Sequence, residues 1–230
     1  MNTNSNSYTI IYASVMVVIV AFLLAFVSSA LKPTQKTNEE LDKMKQILSA
    51  LNIDTKGQDA AALYKQYVKE DIIVDAQGQT VATSGGFGVD VNAQLAEPLD
   101  QRKLPVYVCQ VDGKTKYVFP LYGQGLWGPI WGYVGLDEDK DTIYGTYFSH
   151  KGETPGLGAE IAYEPFQKPF IGKHIMRDGK LVSIAVVKPG KSAEGQDYVD
   201  GISGGTITSV AVDHMLKNGL GQYDKFLTNK

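Results

Sequence analysis

Cysteine is almost missing from this chain of 230 residues: it has one, Cys109. A single cysteine excludes an intramolecular disulfide and any zinc or iron–sulfur site built on a cysteine cluster. A basic surplus is missing too. Lys plus Arg number 22 against 25 Asp plus Glu, a formal net charge of −3, so the chain lacks the electrostatic footprint of a nucleic-acid binder. Glycine, at 24, and proline, at 9, are ordinary, which removes collagen-like and low-complexity classes. His150, His174 and His214 are scattered, with no spacing that suggests a metal site. No strand–GxGxxG–helix pattern occurs, so a Rossmann unit is not expected. The sharpest absence is local: no charged side chain precedes Lys32.

What stands there instead is an apolar run. Residues 8–31 are uncharged, and 20 of these 24 are apolar, including the unbroken stretch Val15–Val27. At about 1.5 Å rise per residue, such a helix crosses a hydrocarbon core of about 30 Å. A cleaved signal peptide is the competing reading, because Ser28-Ser29-Ala30 offers small residues near the end. Against it stand an n-region without Lys or Arg and an apolar core longer than the usual 7–15 residues or so. A retained transmembrane helix over 8–31 is therefore expected. Lys32 and Lys36 follow the span, which by the positive-inside rule points the following domain to the cytoplasm, although Glu39 and Glu40 offset them.

Residues 32–70 read as a helical preface and 71–230 as one soluble domain. Thr37 followed by Glu40 has the form of a capping box, and Leu41, Met44, Leu48 and Leu51 recur at helical spacing. Asp59–Val68 is a second expected helix. The period then shifts to strands. Asp71–Val74 and Gln79–Thr83 flank Gln77-Gly78, and Val106–Val111 and Lys116–Phe119 flank Asp112-Gly113. A strand after Ile175 meets Leu181–Val187 across Asp178-Gly179, and an aromatic-rich pair runs from Pro129 to Phe148 around the acidic loop Asp137–Asp141. Hairpins outnumber helices, so the expected class is α+β with a mainly antiparallel sheet and flanking helices. Cys109 lies in one of these strands with no neighbouring cation in sequence, as a small buried hydrophobe would.

Three segments ask for a chemical explanation. The first is Asp200-Gly201-Ile202-Ser203-Gly204-Gly205-Thr206-Ile207-Thr208-Ser209, a glycine- and hydroxyl-rich turn before Val210–Leu216, with Gly219 in place to end the helix. A helix start of this kind aims N–H groups and partial positive charge outward, which suits a phosphate. An ordinary Gly/Ser loop with a hydroxyl N-cap is the alternative. The second is Glu153-Thr154-Pro155-Gly156-Leu157-Gly158, where a Pro-Gly turn precedes a leucine between two glycines. Leu157 either presses on something flat and apolar or plugs the core. The third, Gly123 to Tyr133, holds both tryptophans, Trp127 and Trp131, among alternating glycines. It could admit a planar ligand, meet a glycan or partner, or pack in the core.

Taken together, the three segments resemble the covalent-flavin domain of the C subunits of the sodium-translocating NADH:quinone reductases. The match rests on Glu-Thr-Pro-Gly-Leu-Gly at 153–158, on Asp-x-x-Ser-Gly-x-Thr at 200–206 and on Gly-Leu-Trp-Gly-Pro-x-Trp-Gly-Tyr at 125–133. The layout, one N-terminal span followed by a flavin domain, matches as well. The G subunit of the Rnf electron-transport complex shares the flavin motifs and is the nearer alternative; a non-enzymatic periplasmic binding module is the more distant one.

The resemblance implies that a flavin transferase moves FMN from FAD onto the hydroxyl of Thr206, forming a phosphoester. It implies that Asp200 and Ser203 order the loop and are read by the transferase, while Gly204 and Gly205, lacking Cβ atoms, would let the backbone approach the phosphate. Glu153, Thr154, Gly156, Leu157 and Gly158 would then line the isoalloxazine, with Thr154 hydrogen-bonding it, Leu157 on its face and Trp127 as a wall. Where the family motif usually has Ala, this chain has Gly205. No catalytic acid or base and no metal ligand is implied; the flavin carries the redox chemistry. The implied role is electron relay in a complex of the bacterial inner membrane, with other subunits as partners and the flavin domain periplasmic, against the hint from Lys32 and Lys36.

Overall fold

In a computed structural model, residues 5–229 are described. The chain divides into two compact units, residues 1–43 and 44–230. Helix α1, Asn6–Ala50, runs from the first into the second. Its apolar stretch is long enough to cross a membrane and is exposed throughout; Phe22 and Leu24 are 70% and 66% exposed. This contains the span expected over 8–31.

The capping box expected at Thr37 and Glu40 does not form, because no helix begins there. The uncharged run is already helical, and the Thr37 hydroxyl donates instead to the Pro33 carbonyl one turn back, at 3.1 Å. Glu40 meets Lys36 at the surface. Consequently residue 31 is not an element boundary. The far end of α1 is well specified: Ile53 N–H donates to Leu48 O and Asn52 N–H to Ser49 O, with Asn52 left-handed at φ 56°. That is a Schellman closure, with Asn in the place glycine usually takes.

Helix α2, Ala60–Tyr67, starts where expected, capped by the Asp59 carboxylate. Six strands follow and form one antiparallel sheet: β1 Val68–Val74, β2 Thr80–Ala82, β3 Leu104–Val111, β4 Lys114–Gln124, β5 Pro129–Leu136 and β6 Ile143–His150, in the order β2-β1-β3-β4-β5-β6. The strand expected from Asp71 thus begins three residues earlier. The β3–β4 turn puts Asp112 and Gly113 at φ 51° and 76°, the type I′ geometry that fits the twist of a hairpin. Short helix α3, Val91–Ala96, bridges β2 and β3.

Strand alternation sorts side chains into two clusters. On one face, Val106, Phe119, Leu121, Ile130, Val134 and Phe148 pack with Val212, Met215, Leu216 and Leu220 of a later helix. On the other, Tyr107, Cys109, Val118 and Tyr133 pack with Ile47, Ala50 and Leu51 and, at the edge, Tyr64, Phe87 and Trp131. Full burial of such side chains contributes about 1.5–3 kcal/mol each. The end of α1 lies against Gly135 and Gly145, where a Cβ would strike the Ala50 carbonyl. Cys109 is fully buried, and desolvation raises its thiol pKa to about 12.

After β6 come α4, Glu164–Gln167, the hairpin β7 Met176–Arg177 and β8 Lys180–Leu181, and a parallel pair, β9 Ala185–Val187 with β10 Tyr198–Asp200. The strand expected over Leu181–Val187 is broken in two. Val182 and Ser183 both donate to the Ile175 carbonyl, and Ser183 takes a left-handed φ of 66°. Helix α5, Thr206–Gly221, then crosses the first face, and α6, Asp224–Thr228, closes the described chain. Gly219 does not end α5 as expected. It lies inside the helix, where a Cβ would sit 2.7 Å from Leu121, so its glycine serves close packing on β4.

Candidate functional site

The glycine-rich turn opens α5 as expected, and its backbone is heavily cross-linked. Gly201 N–H donates to Val187 O, fixing the turn to the end of β9. Ile202 N–H donates to the Ser209 hydroxyl at 2.8 Å, and that hydroxyl donates to Gly205 O at 2.9 Å. Gly204 adopts φ 79°, a left-handed value that disfavours side chains. Gly205 is the N-cap residue and supplies no side-chain cap. Thr206 is the first helical residue and is exposed; Ser203 beside it is exposed too.

The first N–H groups of an α-helix have no intrahelical acceptor. In this 16-residue helix they lie at the positive end of the macrodipole, with no side-chain cap from Gly205 and beside the exposed Thr206. The arrangement fits an anionic group bonded at Thr206 and received by backbone N–H groups.

The other two segments come to the same place. Glu153 is 4% exposed, and its carboxylate has two donors. Oε2 accepts from the Thr208 hydroxyl at 2.6 Å, and Oε1 accepts from Trp127 N–H at 2.9 Å. Its own N–H donates to His150 Nδ1 at 3.1 Å, at the end of β6. One buried carboxylate thereby ties α5, the β4–β5 loop and the 153–158 segment together. Two motif glycines are shaped around it. A Cβ on Gly125 would lie 2.6 Å from Glu153 Oε1, and one on Gly158 would overlap both Glu153 Oε2 and the Thr208 side chain. Gly205 also stacks closely on this segment, its Cβ direction pointing 3.2 Å from Gly158 N.

Gly156 holds the turn at φ 74°, with its N–H bonded to Glu160 Oε1. The Thr154 carbonyl accepts from Leu157 and Ala159 N–H, leaving the exposed Thr154 side chain at the surface. Leu157 is 42% exposed and lies over the 204 position, where a Cβ would meet its Cδ2 at 2.8 Å. Leu157 therefore does not plug the core. Trp127 is exposed, with Leu126 beside it, and Ile207 and Val210 are exposed on α5. Ile207, Val210, His214 and Met215 line one side of a groove of about 360 Å³ whose other side is Tyr122, Gly123 and Gln124. Trp131, by contrast, points to the opposite face and donates to Gln46 Oε1 at 3.1 Å.

Most of the expected residues thus converge: Trp127, Glu153, Gly156, Leu157, Gly158, Gly204, Gly205 and Thr206. Asp200 takes another direction, accepting from Gly190 N–H at 3.3 Å and ordering the loop before β10. Sequence reasoning passed over Thr208, Ser209 and His150. The run of hydroxyls after Gly205 was the available signal for the first two, but which hydroxyl turns inward depends on helix phase against the buried Glu153. No His, Cys, Asp and Glu group able to hold a metal occurs among the described residues.

Known proteins resemble this chain in sequence and in fold. The family model for the FMN-binding domain matches residues 125–221, which contain the first two segments and the third from Gly125 onward. The C subunit of the Na(+)-translocating NADH-quinone reductase of Haemophilus ducreyi is 31% identical, covering 96% of this chain and 94% of that protein. The corresponding C subunit of Pseudomonas aeruginosa is 28% identical over 99% of this chain and 97% of its own length. Among solved structures, the C subunit of the same reductase from Parabacteroides distasonis superposes with a TM-score of 0.82 at 50% identity, covering 87% of this chain and 98% of that one. NqrC of Shewanella oneidensis has the same fold, with a TM-score of 0.68 at 24% identity and coverage of 84% and 100%.

Proposed function

The chain belongs to the family of C subunits of the Na(+)-translocating NADH-quinone reductases, a redox enzyme complex, and from that membership we propose that it is a membrane-anchored electron relay carrying FMN as a phosphoester on Thr206. The observation that carries the reading is the convergence of three separate segments on an uncapped helix start with an exposed threonine. In the maturation step the Thr206 oxygen forms the new bond to the FMN phosphorus. The pyrophosphate bond of FAD breaks, AMP leaves and the hydroxyl proton is lost. A flavin transferase catalyses this; the chain is its substrate.

When bound, FMN supplies the one- and two-electron chemistry. The chain's own residues tether and surround it. Backbone N–H groups at the start of α5 receive the phosphate, and a helix terminus of this kind stabilises an anion by about 0.3–2 kcal/mol. Gly204 and Gly205 let the backbone approach it. Leu157 and Trp127 offer apolar surface to a flat ring, and the exposed Thr154 a hydrogen-bonding edge. Other subunits of the complex deliver and accept the electrons. Helix α1 anchors the domain in the bacterial inner membrane, and the domain faces the periplasm, where the transferase works.

Co-expression with a flavin transferase, followed by denaturing electrophoresis under ultraviolet light, tests the linkage. A fluorescent band is expected for the native chain and none for Thr206→Ala. A colourless native chain, or fluorescence that persists in the variant, overturns the reading. Protease added to intact spheroplasts is expected to digest the domain; full protection reverses the orientation.

A further inference from the structure

Glu153 is buried, so it cannot line the flavin as an exposed wall does, and an electron relay gives it no task. Both its oxygens are occupied, one by Thr208 on α5 and the other by Trp127 N–H. Two glycines, Gly125 and Gly158, give up side chains where this junction is tightest. A buried carboxylate is costly to desolvate and persists where it is fully hydrogen-bonded.

We propose that Glu153 is a positioning residue for the flavin on Thr206: it holds the Thr208 hydroxyl inward and the Trp127 loop against α5. Of the two threonines two residues apart, this leaves Thr206 outside as the acceptor and sets the wall beside the attached ring. The hydrogen-bond direction supports the assignment. Thr208 donates to Oε2 at 2.6 Å, so its oxygen is turned to the carboxylate and away from any incoming phosphate. Thr206, half a helical turn away, is exposed. The proposal rests on Thr206 being the attachment point.

The test uses the full chain co-expressed with a transferase. Four variants are compared with native protein: Glu153→Ala, Glu153→Gln, Thr208→Val and Thr208→Ser. Two quantities are read: the rate of flavin attachment, and the fluorescence anisotropy of the attached flavin. Circular dichroism establishes that each variant is folded. Thr208→Val keeps the shape but removes the donor, so attachment is expected to slow roughly tenfold and anisotropy to fall, the scale of one lost charge-assisted bond. Glu153→Ala should do at least as much, and Glu153→Gln and Thr208→Ser, which keep bonding partners, should recover most of both readouts. Peptide mapping should find flavin on Thr206 in every labelled sample. Native-like rate and anisotropy in folded Thr208→Val and Glu153→Ala overturn the positioning role while leaving the tether intact. Equal loss in Thr208→Ser and Thr208→Val also overturns it. Flavin on Thr208 of the native chain, or none at all, would instead sink the attachment reading beneath it.

Discussion

Helices α2 and α5 begin on opposite faces of one sheet, and they begin differently. At α2 the Asp59 carboxylate accepts from Ala61 and Ala62 N–H, closing the helix end with the chain's own charge. At α5 the corresponding residue is Gly205, which supplies no side-chain cap. Against Gly, a capping Asp, Asn, Ser or Thr gains only about a few tenths of a kcal/mol, and the open end therefore costs the fold little while leaving its first N–H groups without a side-chain acceptor. A closed helix start serves the scaffold, whereas an open one is available to an anion from outside. The clusters beneath them differ likewise. The α2 face carries a sealed set of tyrosines around Cys109, and the α5 face leads out to Leu157, Trp127 and Thr206.

The largest expected effect breaks the α5 side at its tightest point. Gly158→Ala places a methyl into the Glu153–Thr208 contact and should cost about 2–3 kcal/mol in urea unfolding. Flavin attachment should fall with it. Unchanged stability would mean that the junction yields easily and does not fix the site.

Alkaline pH probes the other face. Burial raises the Cys109 thiol from 9.0 to about 12, and Tyr64, Tyr107 and Tyr133 are raised in the same direction. The folded state therefore keeps protons that the unfolded chain releases. The stability contributed is complete below about pH 9 and is lost as pH rises toward about 12. For Cys109 alone the loss reaches about 2 kcal/mol near pH 10.5. The urea midpoint should drop over this range and drop less in Cys109→Ala; an equal drop in both would exclude the thiol as its source.

Opening α2 separates the two helix starts. Asp59→Ala should cost about 1 kcal/mol and lower Tm by roughly 2–4 °C, with flavin attachment unchanged. Lost attachment would show that the faces are coupled. The smallest effect is expected at Gly205. Its φ of −103° suits any residue, and an added methyl meets Ile202 and Gly158 at 3.1–3.2 Å. Gly205→Ala should shift stability by no more than about 0.5 kcal/mol and leave attachment intact. A loss of several-fold in attachment would show that the site needs the absence of a methyl at 205, and not only the backbone there.

Much of this could be read from the residues. Asp-Gly turns announce their hairpins because only certain residues accept two left-handed angles in a row, and Asp112-Gly113 and Asp178-Gly179 both do so. The glycine-rich turn before α5 was legible by the same chemistry. Thr37 was misleading for a physical reason: a threonine followed three residues later by a glutamate fits a helix start, but its hydroxyl serves equally as an i−4 donor inside a helix already running. Gly219 misled similarly. A glycine near a helix end suggests termination, yet here it admits Leu121 of a strand nearly a hundred residues earlier. Leu181–Val187 looked continuous because nothing local reveals that Ser183 will turn back to Ile175.

The sequence by itself determined the long apolar helix, the hairpins, the class of the sheet and the glycine-rich turn before Thr206, since charge-free length, period-two alternation and turn chemistry are local properties. Tertiary structure alone decided how the three motifs meet. Glu153 stands 26 residues from Trp127 and 55 from Thr208 along the chain, and their meeting depends on the packing of α5 across β4. Which of two neighbouring threonines faces out is then a matter of helix phase against a buried carboxylate, and that phase is set by the core beneath α5 rather than by the residues of the motif.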